Sequence, residues 1–573
     1  MVFTSNQKDF NIKYQDYVSS FCVLIETGMW KDFEQALDDD KIEIYVTAEA
    51  DKIIKKSETF SEILTVSGYK LPIKSDGSKG SLHPYQQYAL RKALASKDHF
   101  LFFNHGTGTG KGTEASAGAQ ELFNTNMIDL VYVFTLRKMK INLTREFNTK
   151  TSLVAKNIEG TKAYRKKEFE KEDAQVFVMN YEKANFDFDL LVQKAKGKRV
   201  LFILDEVQKI LVFTGGKPNK AGAGIRKLIR SLKSPHIWPM SATVVGKDPE
   251  RFWRLFDLPV GKNPLGTLSD FRETYSERIE HRQLPWGVED TYIWSPTALA
   301  ELRHRIASKM HTVRKTDPGV REYFKKPQFI AVPVQLSDED RDLYNLVLES
   351  ARDDSPDKWG QYYRILRYMC NTVESLKFSD SPIAKTISDS IELSSKTSSK
   401  MEMVLDKIQE IADASDKVVV FTQFTNLGLF LIADQLKERG IKFVQHYGTG
   451  MTDKEAQKAQ DDFKADPSIT VFLSSDAGSH GLSFQEARYV ISYDTPYSYD
   501  LLTQRNDRID RADSYLEGLT TYVYYTESTV EERIWEINNS RRELSSAVQG
   551  TVEVLGRSED ENLGYLMFGK KSV

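Results

Sequence analysis

Three stretches of this chain carry side chains whose types and spacing suit phosphate chemistry. The first is Gly106-Thr107-Gly108-Thr109-Gly110-Lys111-Gly112-Thr113, which follows the apolar run Phe100-Leu-Phe-Phe103. A strand that ends in a glycine-rich turn and then starts a helix points a row of backbone N–H groups at one spot, where the helix dipole is also positive. Lys111 adds a mobile positive charge for the β- and γ-phosphates of a nucleotide. Taken alone, the turn fits a flexible connector equally well. The second stretch is Leu201-Phe-Ile-Leu-Asp205-Glu206-Val-Gln208, an apolar run leading directly into two acids. Asp205 at the carboxyl end of a strand could hold Mg2+ through its waters, and Glu206 could orient or deprotonate the attacking water. An isolated Asp-Glu pair more often marks a solvated acidic turn; the apolar residues before it favour the catalytic reading. The third stretch, Gln504-Arg505-Asn-Asp507-Arg508-Ile-Asp510-Arg511, spaces Arg508 and Arg511 for one face of a helix. Arginines so placed can neutralise charge on a transferring phosphoryl group, an effect worth about 10³–10⁵ in rate. Exposed ion pairs with Asp507 and Asp510 are the competing reading.

Such groups need a scaffold that brings strand ends together. Between Leu82 and Pro259, short apolar runs alternate with helical stretches. Strands are predicted at Phe100–Phe103, Leu130–Phe134, Val176–Met179, Val200–Leu204 and Ile237–Met240, as unbroken runs that fit burial on both faces of a parallel sheet. A second alternating block carries Val418–Phe421, Val471–Leu473, Tyr489–Ser492 and Tyr522–Tyr525. The segment from Gly261 to Met401 lacks strand periodicity and reads as mostly helical. The fold class is therefore α/β, two parallel-sheet domains in tandem. The boundaries expected are an accessory region at 1–75, a first sheet domain at 76–260, a helical insertion at 261–400, a second sheet domain at 401–545 and a tail at 546–573. Phe21, Leu24 and Ile25 suggest short helices near the start, and Ser75-Asp-Gly-Ser-Lys-Gly80 reads as a linker.

Composition bounds the partners. The chain has 573 residues, enough for roughly three or four domains of about 150 each. Its net charge is only −3, so a polyanion would need a local basic face. Cys22 and Cys370 are the only cysteines, which excludes a disulfide framework or a cysteine zinc site. The first residues lack the form of a signal peptide, and no apolar run approaches about 18 residues, so the chain reads as soluble and intracellular.

In order, the phosphate loop, Asp205-Glu-Val-Gln208, Pro239-Met-Ser241-Ala242-Thr243, Ser475-Asp476-Ala-Gly478-Ser-His480-Gly481 and Gln504–Arg511 resemble the superfamily 2 helicases and translocases. The resemblance is strongest to their Swi/Snf-like branch. Leu82-His-Pro-Tyr85-Gln86 is similar to its adenine-reading block, which implies that Gln86 contacts the base. Val178-Met-Asn-Tyr181-Glu182, Val420-Phe-Thr-Gln-Phe424, Tyr493-Asp494-Thr-Pro496-Tyr497 and Thr529-Val-Glu531-Glu532-Arg533 match further blocks. Met310-His-Thr-Val-Arg314-Lys315-Thr-Asp317 resembles the stretch before the second lobe. The resemblance runs from about Leu82 to Leu544. It implies two RecA-like domains, ATP and Mg2+ as cofactors, and convergence of Lys111, Asp205 and Glu206 with Gln504, Arg508 and Arg511 on one triphosphate. Where the family follows its lysine with Thr or Ser, this chain has Gly112, and Thr113 comes one place late. One helical residue turns a side chain by about 100°, so Thr113 is no simple substitute. A water filling the gap would cost about 0–2 kcal/mol, which leaves an active ATPase as the expectation, with Gly112→Thr unnecessary for hydrolysis.

The resemblance further implies translocation along double-stranded DNA without strand separation. A strand-separating DNA or RNA helicase and an ATP-driven remodeller of a protein partner, such as RNA polymerase, are the alternatives. The first 75 residues are the natural contact for such a partner, and the compact build suits a bacterial, phage or viral translocase. Candidate electrostatic footprints are Arg303-His-Arg305 through Lys309, Arg314-Lys315, Arg321 and Lys325-Lys326, and the helix bearing Arg226-Lys227, Arg230 and Lys233. Solvated helix faces explain such runs equally well.

Overall fold

Most of the predicted strands form, and they form where burial on both faces demands them. The computed structural model describes residues 2–5, 8–10, 42–45, 69–70, 82–547 and 566–568, with short internal gaps of which the longest are 243–248, 390–397 and 477–481. Thr243, Gly478, His480, Gly481, Arg303, the expected helices around Phe21, the linker and most of the tail lie outside the described residues. Near the N-terminus, Val2–Ser5, Lys8–Phe10 and Ile42–Tyr45 pair as a small antiparallel sheet. The chain divides into two compact units between Glu322 and Tyr323.

The first unit is built on a sheet of seven parallel strands: β1 (Phe102–His105), β2 (Leu130–Thr135), β3 (Ala155–Asn157), β4 (Val176–Asn180), β5 (Val200–Asp205), β6 (His236–Ser241) and β7 (Met310–Val313). Their order is β7-β1-β6-β5-β2-β4-β3. Alternate residues feed two cores. Phe102, Tyr132, Phe134, Phe177 and Phe202 enter one, while Phe103, Val131, Val133, Ile203, Trp238 and Met240 enter the other. A strand buried on both faces has no place for polar alternation, hence the unbroken apolar runs. Helix α1 (Pro84–Leu94) precedes β1, and α2 (Lys111–Asn124) and α3 (Lys140–Lys150) lie in the first two crossovers.

The second unit has six parallel strands: β8 (Gln328–Val334), β9 (Val418–Thr422), β10 (Phe443–His446), β11 (Val471–Ser475), β12 (Tyr489–Ser492) and β13 (Thr520–Thr526), in the order β8-β13-β12-β9-β11-β10. Its helices include α4 (Asp338–Asp353), α5 (Trp359–Met369), α6 (Ser399–Asp413), α7 (Tyr499–Asn506) and α8 (Val530–Ala547).

The stretch expected as a helical insertion, 261–400, is helical only in part and is not a body of its own. It contributes an antiparallel hairpin, Ser276–Leu284 with Gly287–Trp294, and supplies one edge strand to each sheet, β7 and β8. Both edge strands escape periodicity for physical reasons. β7 carries a buried His311 and a half-buried Thr312, so it does not read as apolar. β8 contains Pro333, which argues against a central strand but is tolerated at an edge, and β8 pairs only with β13.

Candidate nucleotide site

The phosphate loop is braced from two sides before any ligand arrives. At its start, the Gly106 N–H donates to the Val313 carbonyl at the end of β7 (2.8 Å). At its far end, Tyr85 Oη and Gln86 Nε2 from α1 both donate to the Thr109 carbonyl at 2.9 Å. Gln86 Oε1 in turn accepts the His83 N–H at 2.9 Å, so this buried amide ties the head of α1 to the loop. Gly110 has φ +91°, and a Cβ there would run into Gln86 Nε2; only glycine meets both constraints. Thr109 Oγ1 donates to the Gly106 carbonyl at 2.8 Å, closing the turn on itself. Lys111 Nζ reaches back to the carbonyls of His105 (2.8 Å) and Gly106 (3.1 Å), which places its charge over the loop. Thr107 and Gly108 complete the turn, with Gly108 at φ +83°.

Beneath the loop lies a polar chain that the sequence did not announce. His105 Nδ1 meets Glu114 Oε2 at 2.8 Å, and His105 Nε2 meets His311 Nδ1 at 2.7 Å. Burial pushes the Glu114 carboxyl well above the usual range and both imidazoles well below theirs. Burial thus opposes charge on all three groups, and their hydrogen bonds make a floor that joins β1, α2 and β7.

Asp205 and Glu206 stand at the end of β5, two strands from β1. Thr135 Oγ1 donates to Asp205 Oδ2 at 2.7 Å, and Tyr181 Oη donates to the Asp205 carbonyl at 2.7 Å. Asp205 is 6% exposed. Burial first, and then the charge of Glu206, raise its pKa to about 7, against the Thr135 hydroxyl and Lys111. Glu206 itself takes a left-handed backbone, φ +53°, which is uncommon for a residue with a Cβ. Gln208 Nε2 donates to Glu206 Oε2 at 2.5 Å, and Ser241 Oγ donates to Gln208 Oε1 at 2.6 Å. Ser241 thus bonds Gln208, and Gln208 bonds Glu206, inside the first unit.

The donor set fits a divalent cation at Asp205: a buried acid whose charge both burial and a second acid disfavour is one that a cation would relieve. It differs at the helix start. Gly112 offers no oxygen, and a Cβ there would collide with Glu146 Oε2 and lie 3.1 Å from Glu146 Cδ. Thr113 Oγ1 turns toward α3, donating to Glu146 Oε1 at 3.0 Å and accepting from Lys150 Nζ at 2.8 Å. The space expected to hold a water is therefore lined by the Glu146 carboxylate.

In the second unit, α7 ends at Asn506. Arg508 and Arg511 lie beyond it on a turn, not on one helical face as their spacing predicts. They still share a partner: Arg508 Nη1 (2.9 Å) and Arg511 Nη2 both donate to the Leu482 carbonyl. Arg508 Nε also caps α7 at the Gln504 carbonyl (2.7 Å). Gln504 is buried, and its side-chain oxygen has no hydrogen-bond partner among the described residues. The residue that organises this region is Arg505, which sequence reading passed over. It is fully buried and donates to Asp476 Oδ1 (2.6 and 2.9 Å) and to the Asp494 carbonyl (2.8 Å). Asp494 accepts from Thr422 Oγ1 (2.5 Å) and from the Gln423 N–H (2.9 Å), joining the ends of β9 and β12.

Several residues of the basic stretches are engaged within the fold. Arg226 and Arg230 (3.1 Å) both bond Asp257, and Lys227 lies over the Phe188 ring. Lys309 pairs with Asp98, and Lys325 with Glu517 at 2.5 Å.

Two family models match the chain: the helicase conserved C-terminal domain over residues 399–513, and the type III restriction enzyme res subunit over residues 79–245. The chain is 34% identical over 149 residues to the ATP-dependent helicase fft3 of Schizosaccharomyces pombe, covering 26% of this chain and 16% of the relative. It is 32% identical over 157 residues to the DNA repair protein RAD5 of Cryptococcus neoformans, covering 26% and 13%. Its matched span is thus less than a fifth of these relatives' length. Among solved structures, it is similar to the SWI2/SNF2 ATPase core of Sulfolobus solfataricus in complex with dsDNA, at 20% identity over 85% of this chain and 95% of that one, with a TM-score of 0.35. The two matched models fall in order along the chain, one in each compact unit, and together with these relatives they make the chain similar to ATP-dependent helicases.

Proposed function

We propose that this chain is the ATP-hydrolysing core of a translocase that moves along double-stranded DNA and remodels the DNA or the proteins on it. The observation that carries the reading is the ligand-free preparation of the first unit. A braced glycine-rich turn with Lys111 folded over it shares one sheet edge with the buried Asp205–Glu206 pair. In this reading the N–H groups of Thr107 to Thr113 cradle the triphosphate, the Gly106 N–H being held by Val313, and Lys111 binds its β- and γ-oxygens. Asp205 holds Mg2+, which when bound neutralises charge on the transferring phosphoryl group. Glu206 positions the attacking water, oriented by Gln208. Gln504, Arg508 and Arg511 complete the hydrolytic apparatus, the arginines by neutralising developing charge.

The double-stranded preference is tested by steady-state ATPase rate with duplex DNA, single-stranded DNA and RNA as competing stimulators. A duplex preference with no strand displacement supports the reading. Stimulation by RNA alone, or displacement of a labelled strand, overturns it in favour of a strand-separating helicase. Removing residues 1–75 should leave duplex-stimulated hydrolysis intact while abolishing displacement of a DNA-bound protein.

A further inference from the structure

Gly112 is the point at which this phosphate loop departs from its family, and the structure shows what stands in the space. Glu146 projects from α3 so that one carboxylate oxygen, Oε2, meets the position a Cβ at 112 would take. A serine or threonine hydroxyl would stand one bond beyond that carbon, in the region the carboxylate holds. The two oxygens of Glu146 are unequal. Oε1 accepts from Thr113 Oγ1 (3.0 Å) and Lys150 Nζ (2.7 Å), and Lys150 also donates to Thr113 (2.8 Å). Oε2 takes no hydrogen bond among the described residues. Thr113 and Lys150 thus hold the carboxylate by one oxygen and leave the other at the helix start, one residue from Lys111.

We propose that Glu146 Oε2 is the metal ligand that replaces the missing hydroxyl at position 112. This rests on the nucleotide-site reading above. Hard divalent cations take carboxylate oxygens readily, so the exchange of a hydroxyl for a carboxylate preserves the ligand class and adds one negative charge. That charge has a consequence the hydroxyl lacks. With no metal bound, a carboxylate beside the phosphates repels them; with metal bound, it attracts the ion that bridges them. Nucleotide binding by this chain is therefore more dependent on the metal than a neutral ligand would make it. Gly112 and Glu146 are a matched pair: the carboxylate oxygen stands where a side chain at 112 would begin, so a Cβ there obliges Glu146 to shift.

The test is binding, not turnover. Free Mn2+ counted by electron paramagnetic resonance gives the affinity of Mn2+ for the protein–ADP complex, and a fluorescent ADP analogue gives nucleotide affinity with and without Mn2+. Glu146→Gln keeps the shape and removes the charge. It should weaken Mn2+ binding about tenfold or more, while metal-free ADP binds as well as, or better than, it does to the parent chain. Gly112→Thr alone should also weaken Mn2+ binding, because its side chain meets the carboxylate. Gly112→Thr combined with Glu146→Ala should restore it, and this pair keeps the test decisive if one single variant folds poorly. Unchanged Mn2+ affinity in Glu146→Gln, or recovery in Gly112→Thr alone, overturns the proposal while leaving the nucleotide site standing. A parent chain that binds no ADP, with or without Mn2+, overturns the nucleotide site as well.

Discussion

Ser241 Oγ donates to Gln208 Oε1 at 2.6 Å, and Nε2 of the same amide donates to Glu206 Oε2 at 2.5 Å. Ser241 at the end of β6 and Gln208 in the turn after β5 therefore fix the rotamer of the Glu206 carboxylate. The amide is asymmetric, so each end has a single fitting partner: its oxygen takes the hydroxyl and its nitrogen serves the acid. Ser241→Ala leaves a buried acceptor unpaired, at a cost of about 1–3 kcal/mol, and frees Gln208 to rotate. ATPase kcat should fall about tenfold to a hundredfold, with nucleotide affinity within about threefold of the parent. The double variant Ser241→Ala/Gln208→Ala should be no slower than Gln208→Ala alone, since residues in one chain are not additive. Additive losses in a steady-state assay would show that Ser241 acts separately from Gln208.

Gln86 separates two roles that its position permits. Its amide nitrogen braces the Thr109 carbonyl and its oxygen caps α1. If bracing dominates, Gln86→Ala loosens the loop and weakens ATP and GTP alike, by about tenfold for the 1–1.5 kcal/mol of one such bond. If the residue reads the base, as the family resemblance implies, the loss falls on ATP and the ATP-to-GTP preference collapses. The bracing geometry favours equal losses, measured by competition against one fluorescent nucleotide.

The sheet strands could be read from the sequence because burial on both faces leaves only apolar residues at those positions. Val200–Leu204 and Tyr489–Ser492 are examples, extended or matched by the structure to within one residue. The phosphate loop and the acid pair were visible for the same reason: each sits where an apolar strand stops. What could not be read is long-range. Glu146 lies 34 positions beyond Gly112, and nothing local ties an acid on one amphipathic helix to the first turn of another. His105, Glu114 and His311 form their buried chain only once β7 is placed beside β1, a pairing between segments about 200 residues apart. Arg505 was hidden by its neighbours, because an arginine in a charged run reads as solvated until Asp476 and Asp494 are brought to it from other strands. A single residue did signal the Glu146 arrangement: the glycine at 112 itself.

His236 gives the first unit an acid-labile spot away from the nucleotide site. Its Nε2 meets His99 Nδ1 at 2.8 Å, with the two rings nearly perpendicular. Burial first, and then the neighbouring His99, lower the His236 pKa to about 4. In the unfolded chain a histidine takes its proton near pH 6.5, whereas the folded one resists until about pH 4. The stabilising contribution is therefore full above pH 6.5 and is lost as pH falls toward 4. The melting temperature of the parent chain should drop over that window, and His236→Gln should flatten the drop. An equal slope in both proteins, by calorimetry at pH 7, 5.5 and 4.5, would place the acid sensitivity elsewhere.

The second unit depends on a different buried charge. Lys400 Nζ meets both carboxylate oxygens of Glu531 at 2.8 and 2.9 Å, with each side chain 1% exposed. Glu531 also accepts the Thr526 N–H and hydroxyl, both at 3.0 Å, so the pair ties α6 to the turn that starts α8. Two ions taken out of water repay their desolvation only with further hydrogen bonds in support, as the two from Thr526 to Oε2 supply here. Removing one partner strands the other. Lys400→Met should destabilise the chain by about 3–5 kcal/mol, read as a lower denaturant midpoint at constant slope. Lys400→Met with Glu531→Leu should recover much of that loss, because two apolar groups leave no orphaned charge, though the Thr526 donors then lose their acceptor. Recovery to within about 1–2 kcal/mol of the parent identifies the ion pair as a device for register between α6 and α8 more than a source of net stability. If the double variant is no better than Lys400→Met, the Thr526 bonds to Glu531 carry the energy, and the lysine serves to position that carboxylate.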